Sequence, residues 1–103
     1  MIRSEGAVND RPDVTVGRWV LIPYETAKTT KYYIGQILKE TEGQKKLEVK
    51  FLQHRGNHTF VWPEREDVDV VDITHIKQNL PEPQMDRRDV LSFQTDLSHY
   101  NIQ

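Results

Sequence analysis

The chain has 103 residues and a mass of 12.2 kDa, which is the size of one small domain. Its formal net charge is −2. Hydrophobic residues make up only 36% of it and charged residues 29%, so the apolar side chains suffice for one small core and not for the deep pocket of a typical stand-alone enzyme. No apolar run approaches the roughly 20 residues of a membrane-spanning helix. Cysteine is absent, which excludes disulfides and cysteine-ligated zinc and leads us to expect an intracellular protein.

The first two predicted strands have apolar residues at alternate positions. Residues 16–24 carry two interleaved apolar sets, which are Val16, Val20, Ile22 and Tyr24, and then Trp19 and Leu21. This pattern predicts a strand with apolar side chains on both faces. Residues 31–40 follow a polar loop and predict a second strand, in which Gly35 indicates a bulge or a sharp bend.

The elements that follow are shorter. A third strand is predicted over residues 45–52, a turn over 54–57 and a fourth strand over 59–62. A short fifth strand follows over 68–71 and a helical turn over 72–76. In the third strand, Leu47, Val49 and Phe51 alternate with more polar residues. Asp72 is the expected N-cap of the helical turn.

Several short strands separated by turns in so short a chain predict an all-β fold, a small five-stranded SH3-like barrel with one short helical turn and flexible tails. We assign residues 1–13 to a disordered lead-in, residues 14–83 to the barrel, and residues 84–103 to a tail that stays disordered or adds one edge strand. The expected core consists of Val20, Ile22, Ile37, Leu47, Val49 and Ile76.

Four short motifs within residues 16–83 resemble the Tudor domains of the SH3-like barrel superfamily. They are Gly17-x-x-Val20-x-Ile22-x-Tyr24, Tyr33-x-Gly35-x-Ile37, Val49-x-Phe51 and Gly56-Asn57. The resemblance implies a binding module that holds a methylated lysine or arginine of a peptide in an aromatic cage. By the same resemblance, Tyr24, Tyr33 and Phe51 are the cage rings and Asn57 is its polar residue. Cation–π attraction to the ring faces would provide the affinity.

Two features depart from the Tudor pattern. Where the family has a fourth aromatic residue, this chain has His54 or Arg55, and a cationic Arg55 in the cage would repel a methylated cation. Residues 58–71 are also longer than the usual connection before the last strand. Segments 49–52 and 60–64 in addition resemble mobile-element-associated animal proteins. We therefore expect one part of a longer protein in a chromatin, RNA-granule or mobile-element setting, with a nuclear rather than a cytoplasmic location.

Other side chains provide two alternatives to the cage. Basic residues beside aromatic ones can bind nucleic acid by phosphate contacts and stacking, and the candidates are Lys45, Lys46, Lys50 and Arg55. The sequence pI of about 6.1 argues against binding by overall charge. A protein-interaction groove is the second alternative, formed by Phe60 and Trp62 together with His54 and Arg55. The competing interpretation of these rings, and of the cage rings, is packing within the fold.

No arrangement of residues predicts catalysis or a cofactor. The sequence has neither a glycine-rich phosphate loop nor a serine in a nucleophile-elbow context, so we expect a non-enzyme with no catalytic residue, cofactor or metal. His54 and His58 have a zinc-compatible spacing but no strong third ligand. The acidic run over residues 64–72 is expected to be a solvated face, which would favour a cationic ligand if it borders the aromatic residues. The expected partner is a protein or peptide, with nucleic acid as the alternative and no membrane.

Overall fold

A computed structural model describes residues 13–41, 43, 45–56 and 58–103. The described chain forms strands β1 to β9 and one turn of 3₁₀ helix, in this order: β1 Trp19–Glu25, β2 Thr30–Thr41, β3 Lys46–Phe51, β4 Gln53–Gly56, β5 Thr59–Val61, β6 Val68–Asp72, the 3₁₀ turn Ile73–His75, β7 Gln78–Leu80, β8 Gln84–Met85 and β9 Leu91–Ser92. The all-β class and the helical turn capped by Asp72 are confirmed. Within the described residues, no helix is long and apolar enough to cross a membrane.

Two antiparallel sheets contain all nine strands. The first has five strands in the order β6-β3-β2-β1-β7, and the second has four in the order β4-β5-β9-β8. In the first sheet β1 to β3 form a meander, β6 pairs with β3 after the inserted β4–β5 hairpin, and β7 returns to β1 after the 3₁₀ turn. Among the described residues no strand ladder joins the edge strands β6 and β7. In place of the predicted closed barrel, the structure therefore has a five-stranded sheet that is open between these two strands.

Each face of the first sheet is buried in a separate apolar cluster. The inner cluster comprises Val20, Ile22, Ile37, Leu47, Val49, Phe51 and Val71. The outer cluster joins Trp19, Leu21, Ile34, Leu52 and Leu80 to Phe60, Leu91, Phe93 and Leu97 of the second sheet and the C-terminal segment. Because successive side chains of a strand point to opposite faces, the two interleaved apolar sets of β1 enter different clusters. Five of the six predicted core residues are fully buried, and Ile76 is half-buried against the inner cluster.

Residues 84–103 differ from the expected flexible tail. Leu91, Phe93 and Leu97 are buried in the outer cluster, and the segment provides two strands rather than at most one. At its end, the Tyr32 amide donates a hydrogen bond to the Asn101 carbonyl and the Gln103 amide donates one to the Tyr32 carbonyl, both at 2.9 Å. The pairing of β2 with β3 starts only at Gly35, so the first residues of β2 have a free edge on that side. These two bonds satisfy the backbone groups of Tyr32 on that edge. Free strand edges favour aggregation.

The predicted lead-in over residues 1–13 falls almost wholly outside the described residues. Its last residue, Asp13, is described and is anchored to the body of the fold. The Asp13 amide donates a 2.7 Å hydrogen bond to Asn79 Oδ1, and Asn79 Nδ2 donates one of 2.8 Å to the Asp13 carbonyl. Asp13 is therefore held against β7 by both of its backbone polar groups.

Gly35 allows β2 and β3 to approach each other closely. A Cβ at this position would overlap Val49 Cγ1 and would lie 2.9 Å from the Lys50 carbonyl oxygen and 3.2 Å from Phe51 Cδ1. One of these neighbours is backbone, which cannot move aside as a flexible side chain can. The space that a side chain would occupy at residue 35 is filled by Val49 and the ring of Phe51.

We expect Gly35→Ala to lower the free energy of unfolding by about 1–3 kcal/mol through overpacking. The substitution should also displace the Phe51 ring. Urea unfolding measures the first effect, and aromatic NMR resonances of Phe51 report the second. Gly17→Ala is the matched control, because at φ 95° its Cβ would meet no atom within 4 Å. It should cost about 1–2 kcal/mol of backbone strain and leave the Phe51 ring unchanged. Wild-type stability of Gly35→Ala would contradict the close approach.

Phe93→Ala should destabilise the fold by about 3–5 kcal/mol, because the Phe93 ring packs in the outer cluster with its centroid 5.6 Å from that of Trp19. Tryptophan fluorescence during urea unfolding measures this loss. Met85→Ala removes a side chain of the same segment that is 62% exposed, and should change stability by less than about 0.5 kcal/mol. Equal unfolding midpoints for the two variants would mean that the C-terminal segment does not support the core.

Candidate functional site

A cavity of about 220 Å³ opens at one end of the inner face of the first sheet. It is lined by three aromatic rings and two carboxylates, from Tyr24, Tyr33, Phe51, Asp67 and Asp69. We call it the cage cavity.

Strand register explains why these five side chains meet. Tyr33 lies opposite Ile22 and Phe51 lies opposite Gly35, so the rings continue the inner apolar face toward the strand ends. Asp69 lies opposite Val49 on β6, which places it on the same face. The Phe51 amide donates a 2.8 Å hydrogen bond to the Asp67 carbonyl, which holds Asp67 beside the ring of Phe51.

The three rings support one another edge to face. Ring centroids are 5.1 Å apart for Tyr24 and Tyr33, with 74° between the planes, and 6.1 Å apart for Tyr33 and Phe51, with 77°. Such near-perpendicular pairs are favoured by the charge distribution of aromatic rings. Tyr24 is 40% exposed and Phe51 only 4%, so the cavity passes from an accessible ring to a buried one. The rings therefore form the walls of a corner rather than a stack.

The electrostatic field in the cage cavity favours a cation. Burial raises the pKa of the Tyr24 hydroxyl, and the negative charges of Asp69 and Asp67 raise it further. The Asp69 carboxylate is held in place because its Oδ1 accepts a 2.8 Å hydrogen bond from the Val70 amide. Ring faces and carboxylates both attract positive charge, so the two sets of groups act on a ligand in the same direction.

The structure brings together the three rings proposed from the sequence and adds two residues to them. Asn57 lies outside the described residues, so its expected place at the cavity edge stays a prediction. Asp67 and Asp69 were not among the predicted site residues; they belonged to the acidic run, which was expected to favour a cationic ligand only if it bordered the aromatic residues. Asp67, Asp69 and the apolar Val71 are alternate residues, and alternate residues of an extended chain lie on the same face. This alternation could have indicated that the two carboxylates lie on the inner face.

Arg55, which would have repelled a cation from the cage, is not among the described residues that line the cavity. It is exposed on β4 in the second sheet. Backbone hydrogen bonds from Val90 and Arg88 lower the pKa of Asp86, and the charges of Arg88 and Arg55 contribute to this effect. Arg55 is therefore close enough to the turn between β8 and β9 for its charge to influence Asp86.

The proposed groove of Phe60 and Trp62 requires a correction. Phe60 is 1% exposed and belongs to the outer cluster, because the β4–β5 hairpin turns this residue toward the first sheet. The ring of His54 stacks on it with centroids 5.0 Å apart. Trp62 is half-buried, with its ring centroid 5.7 Å from that of Trp19 and Lys50 Nζ 4.6 Å above its ring. These aromatic residues pack the hairpin onto the sheet.

His54 does line a second opening, of about 510 Å³, which shares Tyr33 and Asp67 with the cage cavity. Pro63 and Arg65 also contribute to its walls. It is lined by fewer aromatic rings than the cage cavity and includes a cationic side chain. The cage cavity is therefore the better candidate for a cationic ligand.

The basic residues proposed for nucleic-acid contacts are spread over the surface. Lys46 and Lys50 lie at opposite ends of β3, a separation of about 13 Å at the usual rise per residue. Lys45 precedes Lys46 in the turn, whereas Arg55 lies on the other sheet. Lys50 packs over Trp62 and forms a 3.7 Å ion pair with Glu66. The four candidates therefore lie at the two ends of β3, in the turn before it and on the other sheet.

Metal binding has no geometric basis in the part of the chain that the structure describes, where no group of three or more histidine, aspartate or glutamate side chains is suitably placed.

Comparisons with protein-family models, with curated proteins and with solved structures found no match. The function is therefore argued from the residues of the cage cavity.

Because charge from Asp69 raises the pKa of Tyr24, we expect Asp69→Asn to lower that pKa. Burial is the larger cause, so only part of the elevation above the ordinary value should disappear. An NMR pH titration of the Tyr24 ring carbons measures the change. Glu64→Gln removes the same charge from an exposed residue that does not line the cavity, and should have little effect. An unchanged Tyr24 pKa in Asp69→Asn would place this carboxylate away from the ring.

Proposed function

We propose that this chain is a non-catalytic binding module that recognises a methylated lysine or arginine side chain of a peptide. The ligand enters the cage cavity and contacts Tyr24, Tyr33 and Phe51. One observation carries the proposal, namely that three aromatic rings and two carboxylates line a single accessible cavity. The Tyr24 ring is 40% exposed at this cavity, so a ligand can reach it.

The chemistry of a methylated cation suits these walls. Methyl groups widen the ion and weaken its hydration while its charge remains, so less water must be removed when it meets a ring face. Each good cation–π contact contributes roughly 0.5–2 kcal/mol, with the larger values at sites from which water is excluded. Asp67 and Asp69 add long-range attraction for a positively charged side chain.

The resemblance to Tudor domains supports the same conclusion by analogy, since it assigns the cage to the same three rings. Fold alone does not determine function, so the proposal depends mainly on the chemistry of the site. The family's polar cage position falls on Asn57, and the two carboxylates contribute polarity that the analogy did not include. Arg55 lies on the second sheet and is not among the described residues that line the cavity, which supports a cationic ligand.

We expect NMR titration with peptides that contain one methylated lysine or arginine to shift resonances of Tyr24, Tyr33 and Phe51. Unmodified peptides should shift them less at the same concentration. Tyr24→Ala removes one exposed wall and should weaken binding about two- to thirtyfold, which corresponds to the loss of one cation–π contact. Circular dichroism establishes that the variant remains folded.

Tyr32→Ala is the matched control. It removes the same ring from the neighbouring strand, but from the face that packs against Tyr100, with ring centroids 4.8 Å apart. If the folded Tyr32→Ala variant binds like wild type and Tyr24→Ala does not, binding occurs in the cage cavity. Shifts that appear only with single-stranded RNA or DNA, along residues 45–58, would instead support nucleic-acid binding.

A further inference from the structure

We propose that the free edge of β6 binds an extended segment of a partner protein as an added strand. A cationic residue of that segment lies at the cage cavity, and an aliphatic residue two positions along lies in a neighbouring cavity. This inference rests on the proposed function and deepens it, because it specifies how the peptide around the cationic side chain is held. Its basis is the backbone of β6, the exposed valines of that strand and the cavity beside them.

The backbone of β6 is free along one edge. Among the described residues β6 ends the first sheet and pairs only with β3. With five residues it is longer than β4, β7 and β8, the other strands that end a sheet. The Phe51 amide donates to the Asp67 carbonyl, so Asp67 and the alternate residues that follow it direct their backbone groups toward β3. The backbone groups of Val68 and Val70 therefore point to the free edge.

This edge is suited to strand addition. The Val70 amide donates to Oδ1 of the preceding Asp69 at 2.8 Å, and a backbone carbonyl of an incoming strand can take over this amide. The side chains of Val68 and Val70 are 38% and 52% exposed. Exposed apolar residues on a free strand edge favour pairing with another chain. Main-chain hydrogen bonds at such an edge are a common means of binding an extended peptide.

A cavity of about 510 Å³ lies beside the same strand. It is lined by β1, β6 and the 3₁₀ turn, and we call it the turn cavity. Its apolar walls come from Ile22, Val70, Val71 and Ile76. Tyr24 lines both the turn cavity and the cage cavity, so the two cavities adjoin along β6.

The spacing of the two cavities matches the period of a strand. Asp69 lines the cage cavity, and Val71, two residues along β6, lines the turn cavity. Side chains that lie opposite each other in neighbouring strands share a face. The residues of the added strand opposite Asp69 and Val71 are therefore two positions, or about 7 Å, apart on one face. The first meets carboxylates and rings, and the second meets apolar walls.

Charge identifies the occupant as a cationic segment rather than a second copy of this chain. Asp67 and Asp69 are alternate residues and line one cavity. Pairing of two β6 strands would bring these carboxylates from both copies to neighbouring strands, where like charges are destabilising. A cationic segment presents the opposite charge to the same groups.

The test titrates the full chain with acetyl-Thr-Val-Thr-Lys-Thr-Val-Thr-amide, in which the lysine is dimethylated. Valine stands two positions to each side of the lysine, so either strand direction provides one for the turn cavity. The control peptide has the order Thr-Thr-Val-Lys-Val-Thr-Thr, which moves both valines to the opposite face. We expect the first peptide to bind at least about fivefold more tightly, because it buries a valine. It should also shift the Val70 amide resonance and slow the hydrogen exchange of that amide.

N-methylation of the first peptide tests the hydrogen bonds. In an antiparallel ladder, the two threonines beside the lysine direct their N–H groups to β6, and the valines direct theirs away. N-methyl groups on these two threonines should weaken binding at least about fivefold, because two hydrogen bonds are lost. N-methyl groups on the two valines are the matched control and should have little effect. The reverse pattern would mean a parallel added strand at the same edge.

A substitution in β6 tests the same edge from the protein side. Val70→Pro removes the outward N–H and leaves the hydrogen bonds between β6 and β3 in place, since proline is tolerated on an edge strand where its nitrogen faces solvent. It should weaken binding of the first peptide about as much as methylation of the threonines does. Val70→Thr keeps the N–H and the β-branched shape, so it is the control. Circular dichroism establishes that both variants fold.

The possible results separate this inference from the proposed function. Equal affinities of the two valine arrangements, or binding that leaves the Val70 amide unchanged, would overturn the added strand and leave the cage cavity as a site for methylated cations. If the unmethylated first peptide bound as tightly as the dimethylated one and still shifted Val70, the added strand would stand and recognition of methylation would be wrong. A Val70 shift that depends on protein concentration without peptide would mean pairing with a second copy and would contradict our proposal. If neither peptide binds, both proposals are wrong.

Discussion

The structure depends on one constraint, which is that the first sheet is apolar on both faces. Trp19 and Leu21 of β1 point away from Val20 and Ile22, and all four are buried. A five-stranded sheet of this size can cover its inner face with its own side chains, but the outer face requires separate material. The β4–β5 hairpin and residues 84–103 provide that cover. The C-terminal segment therefore belongs to the core of the domain and does not act as an appendage.

The cage cavity is a continuation of the inner core. Along the inner face, aliphatic side chains give way to Tyr33 and Phe51, and then to Tyr24 at the accessible end. Gly35 leaves the space that the Phe51 ring needs beside β2. The same residue thus contributes to stability and to the geometry of the site, because packing that fixes Phe51 also fixes the innermost wall. Rings held in this way have little conformational freedom left to lose, a property that favours ligand affinity in general.

The acidic rim distinguishes the cavity from an ordinary end of a β-fold. Strand pairing places Asp69 opposite Val49, and a backbone hydrogen bond from Phe51 places Asp67 beside its ring. Basic side chains are directed elsewhere, with Lys50 over Trp62 and Arg55 on the second sheet. This separation of charge leaves the rim of the cage cavity acidic.

Local patterns in the sequence determined the all-β class and most of the inner core, because alternation along a strand is a property of neighbouring residues. The three rings of the cage cavity were selected by the resemblance to Tudor domains. The tertiary structure alone decided the role of the last 20 residues and the contribution of the two carboxylates. Val90, Leu91 and Phe93 form only a short apolar group and Leu97 stands alone, which is too little pattern to separate buried from exposed residues. Phe60 likewise could not be assigned to the core before its hairpin was placed. The physical reason is that pairing between distant segments of the chain buries these residues. The same long-range pairing places Asp67 and Asp69 beside the rings.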